Sequence, residues 1–237
     1  MSVTEAPTAP EEVLAQLIAR LDNKDSGNGA APIDRAGTRR KILDAAIELF
    51  AARGFEALTM RDLASAVGIK APGIYSHFSS KEAILSEAMI RALLDFLTYA
   101  TAERDASKPL DKLEETVRRH VLYQLQHLSI TRANDLLLNS ESLGEFLPQA
   151  DHDLLLAVQR AYYKLVRSRV EAVAANRQLD PRVTAFAVIN MCDRVTTWYH
   201  PDGGLTPEEV ADHYWYLVKG MLRLDEPQRG DPARTGA

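Results

Sequence analysis

Residues Thr59 to Phe78 read TMRDLASAVGIKAPGIYSHF. Thr59 followed three positions later by Asp62 marks a helix start, because the hydroxyl and the carboxylate can each satisfy a free backbone N–H. Leu63, Ala64 and Val67 then recur at helical spacing. Gly68 lets the chain reverse, since glycine takes positive φ without a Cβ clash. Pro72 sits near the start of a second, very short helix that reaches Phe78. A helix, a tight glycine-containing turn and another helix make a helix-turn-helix. Ala64, Val67, Ile69, Ile74 and Phe78 supply its apolar interior. Lys70, Ala71, Pro72, Gly73, Tyr75, Ser76 and His77 are left to face a groove.

That surface suits double-stranded DNA. Small residues at Ala71 and Gly73 allow close approach to base edges. Tyr75, His77 and Lys81 can donate to phosphate oxygens, which fixes the docking pose without reading sequence. Thr59 and Arg61 are placed to hold the backbone on the other side. Arg39, Arg40 and Lys41 are read either as a helix-start charge cluster only or, because cations there oppose the helix dipole, as residues with a reason outside the fold.

Working outward, the chain of 237 residues reads as helical almost throughout. Residues 1–37 form an N-terminal extension, partly disordered by composition. Within it Val13, Leu14, Leu17, Ile18 and Leu21 define a short amphipathic helix. A helix from Thr38 stops at Gly54, and the headpiece spans 38–82. Ser79 and Glu82 form a second capping box, opening a long helix to about Ala102. Further helices are expected at 109–128, at about 132–143, from Pro148, and from Asp180-Pro181 to His200. The last runs from Thr206-Pro207 to Leu224, and the tail 225–237 is polar. The fold class is therefore all-α, with about nine core helices and short connections. Residues 83–224 form a larger helical domain.

Composition excludes several classes. Cys192 is the single cysteine, so neither a disulfide framework nor a multi-cysteine zinc site is expected. No apolar run is long enough for a membrane span. Met1 to Pro10 lacks the pattern of a signal peptide, and a cytoplasmic location is expected. No phosphate-binding loop, metalloprotease or nucleophile-elbow motif occurs, so no enzyme, cofactor or metal is expected. His120 and His127 share a helical face but have no carboxylate at ligand spacing. The net charge of -5 is uneven: residues 35–82 hold eight basic and five acidic side chains, whereas the flanking segments are both acidic. The basic excess falls on the helix-turn-helix.

The ordered series Thr38-Arg39-Arg40-Lys41-Ile42-Leu43-Asp44-Ala45-Ala46, Leu49-Phe50-Ala51-Ala52-Arg53-Gly54-Phe55, Thr59-Met60-Arg61-Asp62-Leu63-Ala64, Val67-Gly68-Ile69, Tyr75-Ser76-His77-Phe78 and Lys81-Glu82 resembles the DNA-binding domain of the TetR family. Ile74 stands where that family often has Leu. The resemblance implies a homodimeric transcriptional regulator, usually a repressor, with a small-molecule effector bound in the helical domain. It places the recognition helix at Ala71–His77 and phosphate contacts at Tyr75, Lys81 and Thr59. The stretch Trp198 to Ala211 with Tyr214 resembles a subgroup that regulates steroid-ring, fatty-acid and acyl-CoA catabolism.

In the helical domain, Asn190, Arg194 and Trp198 share one face of an expected continuous helix. Arg194 falls in an otherwise apolar run, and a buried guanidinium needs an anion. That anion is either an internal carboxylate such as Asp193 or the acidic group of a ligand such as an acyl-CoA. Tyr162 joins the ligand set, with Tyr163 and Arg118 or Arg119 as weaker candidates. Phe186, Ile189, Tyr214, Leu217 and Met221 form the expected dimer seam. Two alternatives stand beside an effector-released repressor: control by a partner protein docking on the N-terminal helix, and a helical lipid or acyl carrier.

Overall fold

The computed structural model describes residues 10–25, 32–102, 108–138, 146–174 and 179–224, without the side chains of 10, 11, 14, 21–25 and 32–36. The expected tail 225–237 and the end of the helix expected at 132–143 lie outside these residues. All described elements are helical: α1 (Pro10–Asp25), α2 (Pro32–Arg53), α3 (Met60–Ala66), α4 (Ala71–Tyr75), α5 (Lys81–Thr101), α6 (Pro109–Gln126), α7 (Leu128–Leu138), α8 (Gln149–Ala174), α9 (Pro181–Asp193), α10 (Val195–Trp198) and α11 (Pro207–Met221).

Helices α2, α3 and α4 close around Leu43, Ala46, Phe50, Leu58, Leu63, Ile74 and Phe78, all buried. Two glycines shape this unit. Gly54 (φ 81°) ends α2, and Gly68 (φ 73°) makes the turn between α3 and α4. Both lie in the left-handed region where a Cβ is strained. Thr59 and Asp62 form the expected reciprocal cap on α3.

Helix α5 runs out of this headpiece into the body, where Ile84, Leu85, Met89, Ile90 and Leu97 are fully buried. It packs on α2, α6 and α8. Helices α8 and α9 close the domain, and α11 lies along α6. The body starts helices α9 and α11 as read: Asp180 accepts from the Arg182 amide, and Thr206 with Glu209 forms a capping box.

Several boundaries differ from expectation, and the short α4 stops at Tyr75 instead of reaching Phe78. Helix α2 begins at Pro32, so the extension hands over to the headpiece six residues early. Helix α5 is capped by Ser80 through the Ala83 amide, not by Ser79 with Glu82. Helix α7 starts at Leu128, directly after a break at His127. The helix expected to reach His200 breaks at Arg194 into α9 and α10. There the Thr196 and Thr197 hydroxyls bond back to the carbonyls of Asp193 and Arg194, and Arg132 takes the carbonyls of Thr196 and Tyr199. Such side-chain bonds compete with the helical ladder.

The N-terminal helix is docked on the body. Val13 and Leu17 are fully buried, and α1 packs on α5 and α8. Arg20 forms an ion pair with the buried Asp151, whose other oxygen accepts from the Ser86 hydroxyl of α5. Asp151 therefore joins three helices. Among the described residues no helix is long and apolar enough to cross a membrane.

Candidate nucleic-acid interface and ligand cavity

The outer face of the headpiece is built by α4 and its flanks. Lys70 precedes α4 in extended backbone, and Pro72 occupies its first turn. Tyr75 is 58% exposed although it sits in a helix whose next-door Ile74 is fully buried. An exposed aromatic beside a packed core is a contact residue in waiting. Arg61, Lys70, Pro72 and Ser76 are exposed, while Ala71, Gly73 and His77 are half-buried. A Cβ on Gly73 would meet Ile69 at 3.8 Å, an ordinary contact, so the interior does not require glycine there.

Two side chains expected on DNA, Thr59 and Lys81, have partners inside the headpiece, and the cations expected at a helix start, Arg39 and Arg40, are paired as well. The Thr59 hydroxyl is engaged with Asp62, holding that carboxyl below its ordinary range through hydrogen bonds. The Lys81 ammonium donates to the carbonyls of Phe55 (2.9 Å), Glu56 (3.4 Å) and Leu58 (3.1 Å), and it lies over the Phe55 ring. It clamps the loop between α2 and α3, a reach of over twenty residues that spacing could not show. Arg39 pairs bidentately with the buried Glu87 of α5, donates to the His77 carbonyl and covers the Phe78 ring. Because α2 begins at Pro32, Arg39 is not at a helix start, and its clamp ties α2 and the residues after α4 to α5. Arg40 bridges to Asp44 and to Asp95 of α5.

In the body, a cavity of about 610 Å³ lies between α5, α6, α7, α8 and α9. Phe96, Tyr123, Tyr162, Val158 and Ile189 give it a mainly apolar wall. One end is polar. His120 Nε2 lies 2.8 Å from Asp193 Oδ1, and His120 Nδ1 lies 3.0 Å from the Tyr162 hydroxyl. Gln124 donates its amide to the same Asp193 oxygen at 3.2 Å. With the imidazole proton on Nε2, His120 donates to Asp193 and accepts from the Tyr162 hydroxyl, whereas Gln124 Oε1 has no donor among the described residues. Burial raises the Tyr162 hydroxyl well above its ordinary pKa, so it stays a neutral donor. Burial, with Asp193 nearby, pushes Asp135 up to about 6.

Of the four expected ligand residues, Tyr162 and Asn190 line this cavity. Arg194 and Trp198 do not. Arg194 is exposed at the break between α9 and α10, so the premise of a buried guanidinium fails. Trp198 stacks on Tyr214 and donates its indole N–H to the Tyr214 hydroxyl at 3.1 Å. The break ends the shared face that a continuous helix would have given. Tyr163 lines the cavity, but Arg118 pairs with Asp212 and Arg119 caps the carbonyls of Tyr99 and Ala102. Sequence reasoning missed His120, Gln124, Asn134, Asp135 and Asp193. The i, i+4 pairing of His120 and Gln124 on an apolar face was the available signal.

The expected dimer seam divides. Phe186 (63%), Leu217 (55%) and Met221 are exposed, joined by Val183 and Tyr216. Ile189 is half-buried in the cavity wall. Tyr214 is buried beneath Trp198 of its own chain and is corrected from seam to core.

Residues 42–88 match the family model for bacterial regulatory proteins of the tetR family, and residues 106–222 match a tetracyclin repressor-like C-terminal domain. The HTH-type transcriptional repressor KstR2 of Rhodococcus jostii is 30% identical over 199 residues, covering 78% of this chain and 90% of that one. The chain belongs to the TetR family. It is a DNA-binding transcriptional regulator, and α2 to α4 are its family headpiece. KstR2 of Mycolicibacterium smegmatis is 28% identical, covering 81% of this chain and 93% of the relative. AibR, solved in complex with isovaleryl coenzyme A and operator DNA, superposes with a TM-score of 0.62 at 25% identity, over 77% of this chain and 97% of AibR. The ketosteroid regulator KstR2 of Mycobacterium tuberculosis shares the fold, with a TM-score of 0.65 at 21% identity over 82% of this chain and 97% of that one.

Proposed function

We propose that this TetR-family chain is a homodimeric repressor that leaves a palindromic operator when an acyl-CoA thioester enters the body cavity. The observation that carries this is the position of the cavity. Its wall includes Ala92, Leu93 and Phe96 of α5, the rod that enters the headpiece, and Phe186 and Ile189 of α9, the helix with the exposed apolar face. A ligand there touches both the element that sets headpiece angle and the element that sets dimer geometry. Two recognition helices must sit roughly 34–36 Å apart to enter successive major grooves, so a small rotation of α5 abolishes paired docking. The ligand shifts the equilibrium by binding the undocked state better.

The thioester class is supported by the wall chemistry and by AibR. The interior accepts an apolar acyl group, and the cationic Arg160 is exposed in its wall, where an acidic head would emerge. On the headpiece, Arg61, Lys70, Pro72, Tyr75 and Ser76 contact DNA, with Ala71, Gly73 and His77 facing the groove. Thr59 and Lys81 position that surface from behind. A cytoplasmic site of action follows from this role. Control by a partner docking on α1 has less support, because Val13 and Leu17 are buried in the chain's own body. A carrier role leaves the exposed Tyr75 surface without a purpose.

The test is a titration of a labelled operator fragment with the full chain, then with acyl-CoA thioesters. Phe96→Trp, which fills the cavity, should leave DNA binding within about twofold and blunt release by about tenfold or more. Release that is unaltered by filling the cavity contradicts the assignment.

A further inference from the structure

The polar end of the cavity is rich in acceptors and poor in donors. Gln124 and Asn134 are both more than nine-tenths buried and both line the wall. Gln124 Oε1 and Asn134 Oδ1 meet no hydrogen-bond donor among the described residues. The orientation of Gln124 is fixed, because its amide nitrogen is the group that can donate to Asp193. Its carbonyl oxygen is therefore the free end. Beside these two oxygens stand the carboxylates of Asp135 and Asp193. The Asp193 oxygen is already shared by His120 and Gln124. The cationic residue in the wall is Arg160, which is exposed.

A buried acceptor without a donor destabilises the folded state, and a ligand that supplies the donor recovers that loss. An anion placed at this end would face two carboxylates and two carbonyl oxygens. An oxygen acceptor such as a ketone would leave Gln124 Oε1 and Asn134 Oδ1 unpaired. An O–H group satisfies them. We propose that the part of the effector that enters the cavity is an apolar body bearing a hydroxyl group, and that Gln124 and Asn134 are the residues that select it. The acidic head of the same molecule is directed away from this end, toward Arg160. The proposal rests on the effector reading above and adds to it the chemistry of the buried portion.

A site built to hydrogen-bond a hydroxyl rejects the analogue that lacks one, by leaving its own polar groups unpaired. The experiment measures binding of two matched pairs to the full chain: 2-naphthol against naphthalene, and 3-hydroxyoctanoyl-CoA against octanoyl-CoA. Wild type should prefer the hydroxylated member of each pair by about tenfold or more. Asn134→Leu and Gln124→Met, checked for native circular dichroism, should each shrink that preference severalfold while binding the plain member equally or better. Two variants are used so that one remains if the other fails to fold. Equal binding within both pairs, or a preference that survives both variants, overturns the proposal and makes solvent the partner of these oxygens. Release of operator DNA is read in parallel. Selection for 2-naphthol without release by either thioester sinks the thioester reading alone. Release by both thioesters with equal potency, and no selection for 2-naphthol, sinks the hydroxyl proposal alone.

Discussion

Lys70 and Lys81 flank α4, yet only Lys70 leaves its ammonium exposed for a phosphate. Lys70→Ala should weaken operator binding, lower the slope of log affinity against log salt by about one, and leave thermal stability unchanged. Lys81→Ala should do the reverse. It should cost about 1–2 kcal/mol of stability by freeing three loop carbonyls, with the salt slope preserved. Denaturant titration and binding isotherms at several salt concentrations check both. Asp135 supplies a pH test. Its folded pKa is raised from the ordinary 3.8 to about 6, so the fold favours the neutral acid. The resulting penalty is absent below about pH 4, grows between 4 and 6, and is complete above 6. Asp135→Asn should therefore gain on the order of 1 kcal/mol at pH 8, after allowance for its partial exposure, and about half that at pH 5. A stability gain that is larger at pH 5 than at pH 8 would contradict the burial argument.

Helix α1 shows how far element-scale organisation departs from periodicity. Its apolar spacing was legible, and so was its helix. Its docking was not, because the partner of Arg20 is Asp151, which is 131 residues away and reads locally as a helix-start carboxylate. Arg20→Ala should leave Asp151 buried without its cation and cost about 2 kcal/mol, measured by thermal unfolding. The double change Arg20→Met with Asp151→Leu should recover most of that loss, because it removes both charges together. The same contrast runs through the headpiece. Gly54, Gly68 and the Thr59–Asp62 cap act within a few residues, so the turn and the helix starts could be read directly. Arg39 reaches Glu87 across 48 residues, and Lys81 reaches back to the Phe55 carbonyl. Lys81 looked like a DNA-side cation, and Arg39 like a helix-start charge, because nothing local accounted for either. The break at Arg194 was hidden for a related reason. Arg132, from α7, stabilises the carbonyls of Thr196 and Tyr199, and a continuous apolar pattern carries no sign of that outside donor.

At the scale of the molecule, a modestly basic headpiece is carried on an acidic body through one rod, α5. The Arg39–Glu87 and Arg40–Asp95 pairs fix the headpiece to that rod, and Ala92, Leu93 and Phe96 of the same rod line the cavity. We propose that the exposed face of Val183, Phe186, Tyr216, Leu217 and Met221 is where a second copy packs. Phe186→Asp with Leu217→Asp should give a folded monomer by light scattering and cost the operator affinity that paired half-sites supply, on the order of a hundredfold or more. The account as a whole stands on the coupling of cavity to headpiece. Its most direct measurement is fluorescence anisotropy of a labelled palindromic operator fragment from the chain's own upstream region, titrated with wild-type protein and then with an acyl-CoA thioester. Tight binding that is lost on adding the thioester, and retained when Phe96→Trp protein is used instead, is the predicted result. Thioester that binds the cavity while the operator stays bound with unchanged affinity would contradict it.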